Sequence, residues 1–127
     1  MRVQKRLCVL LCVIACGGCG QKKTTGELVA DLKSTQEKDR INAVRILPQR
    51  KGDVGQTVPA LIGALKDQEN DIRWSAAIGL GNLGESAREA IPALQATQRD
   101  RDARVREAAG VALTRIDPQK FPARRKL

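Results

Sequence analysis

The feature that most constrains this chain is a sequence repeat with a period of 33 residues. The tripeptide Pro59-Ala60-Leu61 recurs as Pro92-Ala93-Leu94, and the same offset superposes residues on both sides of it. Forward, it aligns Asp67 with Asp100, Arg73 with Arg106, Ala76 with Ala109 and Leu80 with Leu113. Backward, it aligns Leu61 with Leu28, Arg73 with Arg40, Ala76 with Ala43 and Leu80 with Leu47. A fixed period of this length predicts stacked supersecondary units rather than one closed core.

Each unit has the pattern of two helices joined by a turn. In the second unit, Pro59 marks the first turn of a helix, where the missing N–H has no intrahelical partner. Residues 67–70 form a polar turn, and a second helix is predicted from about residue 71 to residue 83, before Gly84. The apolar stripe of that second helix predicts the core, and it consists of Ile72, Ala76, Gly79 and Leu83 with Leu80 beside it.

The first and third units depart from this pattern at their outer ends. In the third unit the stripe recurs as Val105, Ala109, Ala112 and Ile116. Its first helix is more polar, because Gln95 and Gln98 replace Ile62 and Leu65, as expected of a capping unit. In the first unit, Thr24 and Glu27 have capping-box spacing. Pro48 should end the second helix near Leu47, with a longer loop over residues 50–55.

These patterns predict an all-α fold, a short α-solenoid of about three helix-turn-helix repeats. The repeat domain is expected over residues 25–118, divided as 25–57, 58–90 and 91–118. Residues 16–24 are rich in glycine and polar residues, which is typical of a flexible tether. Residues 119–127 form a basic C-terminal tail.

The repeat resembles the HEAT repeat, particularly short bacterial HEAT-like repeats related to those of phycobilin lyases. The resemblance covers roughly residues 25–117 and is strongest in the second and third repeats. In that family an aspartate in the turn is followed six residues later by an arginine, as in Asp67 with Arg73 and Asp100 with Arg106. In the first repeat Ser34 replaces the aspartate, although Arg40 is present. The resemblance implies that these four residues form a structural ladder that ties neighbouring turns together.

The first 15 residues have the layout of a secretory signal. Arg2, Lys5 and Arg6 precede an apolar run, residues 7–15, that is too short to span a bilayer as a helix. Residues 13–16, Val-Ile-Ala-Cys, resemble the lipobox of bacterial lipoproteins. This resemblance implies cleavage before Cys16, diacylglycerol on its sulfur and acylation of its amine. Cys19 is a rival that lacks the aliphatic residue three positions earlier.

An alternative interpretation of the N-terminal cysteines is a cytosolic thiolate metal site. Cys8, Cys12, Cys16 and Cys19 have spacings near those of such sites. No polar residue supports a site within this apolar run, so export and lipidation are the preferred prediction. A multiply acylated Cys16 would anchor the domain stably. Gly17 after the cysteine favours the periplasmic side of the outer membrane, if the bacterium has one, within the bacterial cell envelope.

The net charge of the whole chain is +9, and loss of the three basic residues before residue 7 leaves 20 basic against 14 acidic residues, a net charge of +6. Part of this charge lies in the tail, at Lys120, Arg124, Arg125 and Lys126. In an exported protein, anionic lipids or envelope polymers are natural counterparts. A solvated, frayed terminus is the simpler interpretation.

The composition argues against catalysis. The chain has no histidine and no tyrosine, and its cysteines all precede residue 20, so the repeat domain lacks the commonest general base and a thiol nucleophile. Residues 79–84 contain the spacing of a glycine-rich nucleotide motif, but they lie at the end of a helix rather than after a strand. We therefore expect no catalytic residue, cofactor or metal.

Partner binding is expected on the surface of the second helices. Trp74 and Ile78 are four residues apart and opposite the core stripe, and Arg73 and Arg106 were added to the same candidate surface. Trp74 occupies a slot that holds Ile41 and Glu107 in the other repeats, and tryptophan is enriched among binding hot spots. The alternative is that the indole packs between repeats as core.

The sequence thus predicts a non-catalytic, membrane-anchored scaffold that binds a protein or an extended peptide. Two other functions remain open: a chromophore-handling enzyme or chaperone subunit, as the resemblance to bilin lyases suggests, and a nucleic-acid-binding module if the chain is not exported. Three repeats are near the minimum for independent stability, so dimerisation through an exposed repeat face is also compatible with the pattern.

Overall fold

The computed structural model describes residues 22–123, which fold into helices and turns. The predicted signal sequence and Cys16 lie outside the described residues, as do residues 124–127. The six α-helices within residues 22–123 are α1 (Thr25–Asp31), α2 (Glu37–Ile46), α3 (Val54–Ala64), α4 (Asn70–Leu83), α5 (Ile91–Thr97) and α6 (Ala103–Ile116). Short 3-10 segments connect the pairs at Leu47–Gln49, Lys51–Asp53 and Gly84–Ala90.

The helices form three consecutive pairs stacked in two layers. The second helices, α2, α4 and α6, pack side by side in one layer, and α4 contacts both of the others. The first helices, α1, α3 and α5, form the other layer, with Gly84–Ala90 packed between α3 and α5. This arrangement confirms the predicted all-α solenoid of three repeats.

The core lies between the two layers and between successive pairs. It is built largely from leucine and alanine, and the alanines let the second helices approach one another closely. On α4, Ile72, Ala76, Gly79 and Leu80 are buried as predicted, whereas Leu83 at the end of the stripe is only partly buried. On α6 the whole predicted stripe is buried: Val105, Ala109, Ala112 and Ile116.

Most helix ends lie where the local sequence predicts them. Thr24 and Glu27 form the reciprocal capping box at the start of α1. Pro48 follows the end of α2 and sits in the 3-10 segment Leu47–Gln49. The helix α4 ends at Leu83, and Gly84 has φ 57° and ψ −135°, a conformation that L side chains rarely adopt.

The start of α3 differs from the prediction. The helix begins at Val54, so Pro59 is its sixth residue rather than part of its first turn, and the boundary between residues 57 and 58 falls inside α3. The helix therefore forgoes the bond that an N–H at position 59 would donate to the carbonyl of Gly55. Upstream, Asp53 accepts a hydrogen bond from the Thr25 hydroxyl, which ties the connecting segment to α1. By contrast, Pro92 lies in the first turn of α5, as predicted.

The described part of the predicted tether already contacts the first repeat. The Lys23 ammonium lies 2.7 Å from the Asp31 carboxylate, and this hydrogen bond raises the pKa of Lys23. The Lys23 carbonyl accepts a hydrogen bond of 2.8 Å from Arg50. Residues 23 and 24 therefore belong structurally to the repeat domain.

Two glycines of α4 allow close contact with the neighbouring repeats. A Cβ atom placed on Gly79 would lie 2.5 Å from Cγ of Pro48, in the turn that follows α2. A Cβ on Gly81 would lie 3.0 Å from Cα of Ala112 on α6. The middle repeat is therefore fitted on both sides at distances that leave little or no room for a methyl group.

We predict that Gly79→Ala destabilises the domain although alanine favours helices. The added methyl would meet the rigid ring of Pro48, and such overpacking costs about 1–3 kcal/mol. Chemical unfolding of the full chain, followed by circular dichroism, measures this change. Gly63→Ala is the matched control, because its added Cβ meets nothing within 4 Å. The control should be neutral or up to about 1 kcal/mol more stable. Equal stabilisation by both substitutions would contradict the packing argument.

Candidate interaction surfaces

An arginine at the start of α4 joins the second repeat to the third. Nε and Nη2 of Arg73 donate to the two carboxylate oxygens of Asp100 at 2.8 and 3.0 Å. Its Nη1 donates to the backbone carbonyls of Asp67 and Gln68 at 2.8 and 3.0 Å. The guanidinium thus holds the turn of its own repeat with one edge and the carboxylate of the next repeat with the other.

The same arrangement joins the first repeat to the second. Arg40 on α2 donates through Nε and Nη2 to Asp67 at 2.9 and 3.4 Å. Its Nη1 donates to the carbonyls of Ser34 and Thr35 at 3.0 and 3.3 Å. Each junction between repeats therefore contains one bidentate arginine–aspartate pair.

These two pairs are largely removed from solvent. Only 5% of Arg73 is exposed, and Arg40 is similarly buried. Each carboxylate has a further donor, since Oδ1 of Asp67 accepts the N–H of Glu69 and Oδ1 of Asp100 accepts the N–H of Asp102, both at 2.9 Å. Buried charges are tolerated when their hydrogen-bonding capacity is used in this way.

The pKa values at the second junction reflect this pairing. The hydrogen bonds from Arg73 are the main cause that lowers the pKa of the Asp100 carboxyl, while burial acts in the opposite direction. The pKa of Arg73 is raised by the same hydrogen bond. Because the folded pKa of Asp100 lies below its unfolded value of about 4, the pair contributes its stability above that pH. The contribution is lost as the pH falls through the lowered folded pKa.

The ladder runs between repeats rather than within each one. Arg73 contacts the backbone carbonyl of Asp67, its predicted partner six residues earlier, but pairs with the carboxylate of Asp100 in the following repeat. Ser34 in the first repeat therefore does not weaken the first junction, because Arg40 is paired with Asp67. The residue without a carboxylate partner, among residues 22–123, is Arg106 at the other end.

A second polar contact supports the junction between the second and third repeats. Asp102 caps α6 by accepting the N–H groups of Arg104 and Val105, and it also accepts a hydrogen bond of 2.7 Å from the Asn70 side chain. The bond from Asn70 is the main cause that lowers the pKa of Asp102. The carboxylate that begins α6 is thereby fixed to the beginning of α4.

The exposed face of the second-helix layer carries the predicted tryptophan. Trp74 on α4 is 39% exposed, so the indole is neither enclosed between repeats nor fully solvated. Ile78, one turn later on α4, is partly buried. On α6, Val111 is 40% exposed, and on α2, Ile41 is partly exposed.

Two polar contacts fix the register of α4 against α6 on this face. Arg104 Nη2 lies 2.9 Å from Asp71 Oδ1, and Arg115 Nη1 lies 2.9 Å from Asn82 Oδ1. In both pairs the residues are 33 positions apart. The same register places Val111 beside Ile78. We call the set Ile41, Trp74, Ile78 and Val111 the apolar strip.

The structure separates the four residues that the sequence grouped as a binding surface. Trp74 and Ile78 lie on the exposed face of the second-helix layer. Arg73 is buried in the ladder, so its side chain is not available to a partner on that face. Arg106 is exposed at the position where a further repeat would continue the stack.

Val111 was missed in the sequence as a member of this surface. The signal was present, since Val111 is aligned with Ile78 by the 33-residue offset. That alignment alone does not tell exposed positions from buried ones, because apolar residues recur at both. Among residues 22–123, no helix is long and apolar enough to cross a membrane, and no group of three or more histidine, cysteine or acidic side chains is placed to hold a metal ion.

We predict that Arg73→Ala strongly destabilises the domain. Its loss leaves the Asp100 carboxylate and two backbone carbonyls without their donor, and breaking a buried pair in this way costs about 3 kcal/mol or more. Urea unfolding of the full chain at neutral pH measures the loss. Arg106→Ala is the matched control, because the exposed Arg106 bonds only to backbone carbonyls. The control should cost about 1 kcal/mol or less. Similar losses for both variants would show that the carboxylate pairing contributes little.

Comparisons with known proteins agree with this architecture. The family model described as HEAT repeats matches residues 26–114. A solved chain from the complex of CpcE and CpcF of phycocyanin lyase from Nostoc sp. PCC7120 is 31% identical, with a TM-score of 0.68. The match covers 79% of the present chain and 40% of that chain, so this protein spans about two fifths of its length. No curated protein sequence matches the chain. The period, the helix pairs and the matched residues together place this protein in the HEAT-repeat family.

Proposed function

We propose that this protein is a non-catalytic scaffold, held at a bacterial envelope membrane by lipid on Cys16, that binds another protein through its second-helix layer. Solenoids expose an extended surface formed by equivalent helices of successive repeats, and such surfaces serve protein binding. The proposal adds to this general role a specific binding surface, an anchor and a location.

The observation that carries the proposal is the partly exposed indole of Trp74 at the centre of the apolar strip. The strip runs across three stacked helices, and charged or polar residues border it: Arg45, Asp71, Asn82, Arg104, Glu107 and Arg115. An apolar centre with a polar rim is the usual anatomy of a protein interface. Trp74 offers a large apolar area together with one N–H donor, a combination enriched in binding hot spots.

Catalysis finds little support in the arrangement of the described charged residues. Arg40, Arg73, Asp67 and Asp100 are engaged with one another and with the backbone, so their ionisable groups hold the repeats together. The remaining carboxylates near the turns cap helices or pair with exposed arginines, as Asp102 and Asp71 do. No described residue is a histidine, cysteine or tyrosine.

The proposed location rests on the first 16 residues, whose pattern resembles a lipoprotein signal. Residues 17–21 would then separate the lipid from Lys22, where the described structure begins. Six residues from Cys16 to Lys22 reach at most about 20 Å when extended. The first repeat would therefore stay close to the membrane, and the apolar strip would face a partner located in the same compartment.

A second candidate function is the handling of a bilin chromophore, alone or as a partner of a lyase subunit. The likeness to a chain of the phycocyanin lyase complex supports it. The present chain corresponds to only part of that chain, and this is why the scaffold is the preferred proposal. Retention of added bilin by the purified protein, seen as a shifted visible absorbance after gel filtration, would favour the second candidate.

We predict that a photo-crosslinking amino acid at position 74 captures one defined protein in cells that naturally express the chain. Benzoylphenylalanine in place of Trp74 preserves a large aromatic group within the apolar strip. Val111→Asp in the same chain should abolish the adduct, because it introduces a charge beside Ile78. Mass spectrometry of the adduct identifies the partner.

Two controls make this crosslinking experiment decisive. The same photo-reactive residue at Pro92, exposed on the first-helix layer, should give no matching adduct. Circular dichroism should show that Val111→Asp retains the helical fold, since Val111 is 40% exposed. An identical adduct from position 92, or an adduct that persists in the Val111→Asp chain, would locate binding elsewhere.

We predict that Cys16→Ser abolishes incorporation of a radiolabelled fatty acid and releases the protein from the membrane fraction. Serine lacks the thiol that would carry the diacylglycerol. Cys19→Ser is the matched control and should retain both label and membrane association. Persistent labelling of the Cys16→Ser chain would contradict the anchor, and with it the proposed location. That result would leave the apolar strip as a candidate interface and would renew interest in a nucleic-acid-binding role for this basic chain.

A further inference from the structure

The ladder of paired arginines has an unfilled position at its C-terminal end. Nη1 of Arg106 donates to the carbonyls of Asp100 and Arg101 at 2.8 and 3.1 Å, as Arg73 does in its own turn. Within residues 22–123, Nε and Nη2 of Arg106 have no acceptor. In the two inner repeats these same atoms hold a carboxylate.

We propose that Arg106 binds an aspartate of a partner protein, located in a turn just before a helix. This inference is independent of the apolar strip, because Arg106 lies at the end of the stack and Trp74 on its side. The site would recognise one acidic turn rather than a broad anionic surface.

The two inner junctions indicate what such a partner must present. Asp67 and Asp100 each lie in a turn, three residues before the helix that follows. Each accepts the backbone N–H two residues later, which fixes the carboxylate before it meets the arginine. Both oxygens then face Nε and Nη2 of the guanidinium. A partner turn with this arrangement would match Arg106 as Asp100 matches Arg73.

The guanidinium of Arg106 is oriented before any partner arrives. Two backbone carbonyls hold Nη1, so the planar group is fixed and directs its remaining edge away from its own turn. Arginine binds carboxylates through two parallel hydrogen bonds, and prior orientation reduces the entropy lost on binding. Exposed Arg99 and Arg101 add positive charge in the same turn region.

A second copy of this chain does not supply the required group. If one copy continued the stack of another by the 33-residue period, Ser34 would take the place of the aspartate opposite Arg106. Ser34 offers a neutral hydroxyl, which donates to Asp39 at 2.9 Å. Gln95 and Gln98 also make the outer side of α5 more polar than the equivalent side of α3. A different protein with an acidic turn is therefore the proposed occupant.

The test uses nitrogen-15-labelled full-length protein in detergent micelles and a synthetic peptide of residues 97–116. This peptide contains the turn with Asp100 and the whole of α6, so it presents the group that fills the inner position. A second peptide carries Asp100→Asn and keeps every other side chain. The Nε–H signals of the arginines are followed by nuclear magnetic resonance, and that of Arg106 is identified by its absence from the spectrum of Arg106→Lys.

We expect the Asp100 peptide to shift the Arg106 signal until it saturates, while the buried Arg40 and Arg73 signals stay in place. The Asn peptide should leave the Arg106 signal unchanged. Arg106→Lys keeps the positive charge but loses the bidentate edge, so the affinity for the Asp100 peptide should fall by about tenfold or more. The melting temperature of the Arg106→Lys chain should be close to that of the wild type.

Several outcomes would overturn the proposal. No saturable shift at millimolar Asp100 peptide would show that the position is not a binding site. Equal shifts with both peptides, or equal affinity of Arg106→Lys, would show general charge attraction instead of carboxylate recognition. None of these outcomes bears on the apolar strip, which the crosslinking at position 74 tests separately.

Discussion

The buried pair between Arg73 and Asp100 is the interaction on which the relation between repeats depends. A pair of short helices cannot bury its apolar face alone, and alanine-rich faces offer few side chains whose shapes fix one register. The bidentate hydrogen bonds supply that register, because the carboxylate meets the guanidinium fork in few orientations. Every donor and acceptor at the junction is used, so the cost of burying the charges is offset locally rather than by the core.

The helix α4 combines three separate tasks on different sides of one short segment. Its small residues, Gly79 and Gly81, allow close contact with both neighbours. Arg73 near its beginning joins the next repeat, and Trp74 beside it faces solvent. Adjacent residues in a helix point about 100° apart, so one position can be fixed by stacking while the next varies with the partner. Stability and binding can therefore change largely independently in this fold.

The sequence predicts the repeat and its core well, because the 33-residue period and the helical stripe are visible in single residues. It does not predict the direction of the ladder, since pairing within a repeat and pairing with the next repeat both satisfy the same period. It misplaces the start of α3, because Pro59 marks the first turn only when no helical residues precede it, and Gly55 and Val54 do. The exposure of Trp74 was equally undetermined, since Ile41 and Glu107 in the same slot favour opposite answers.

The direction of the ladder has a consequence for how such a chain can change in length. Each complete 33-residue unit carries one aspartate for the repeat before it and one arginine for the repeat after it. Duplication of residues 58–90 would therefore create a new junction that is already matched, and no other residue would need to change. An insertion of a few residues between Asp67 and Arg73 would instead disturb both adjoining junctions. Gene duplication of whole units is thus the evolutionary route that this architecture tolerates most easily.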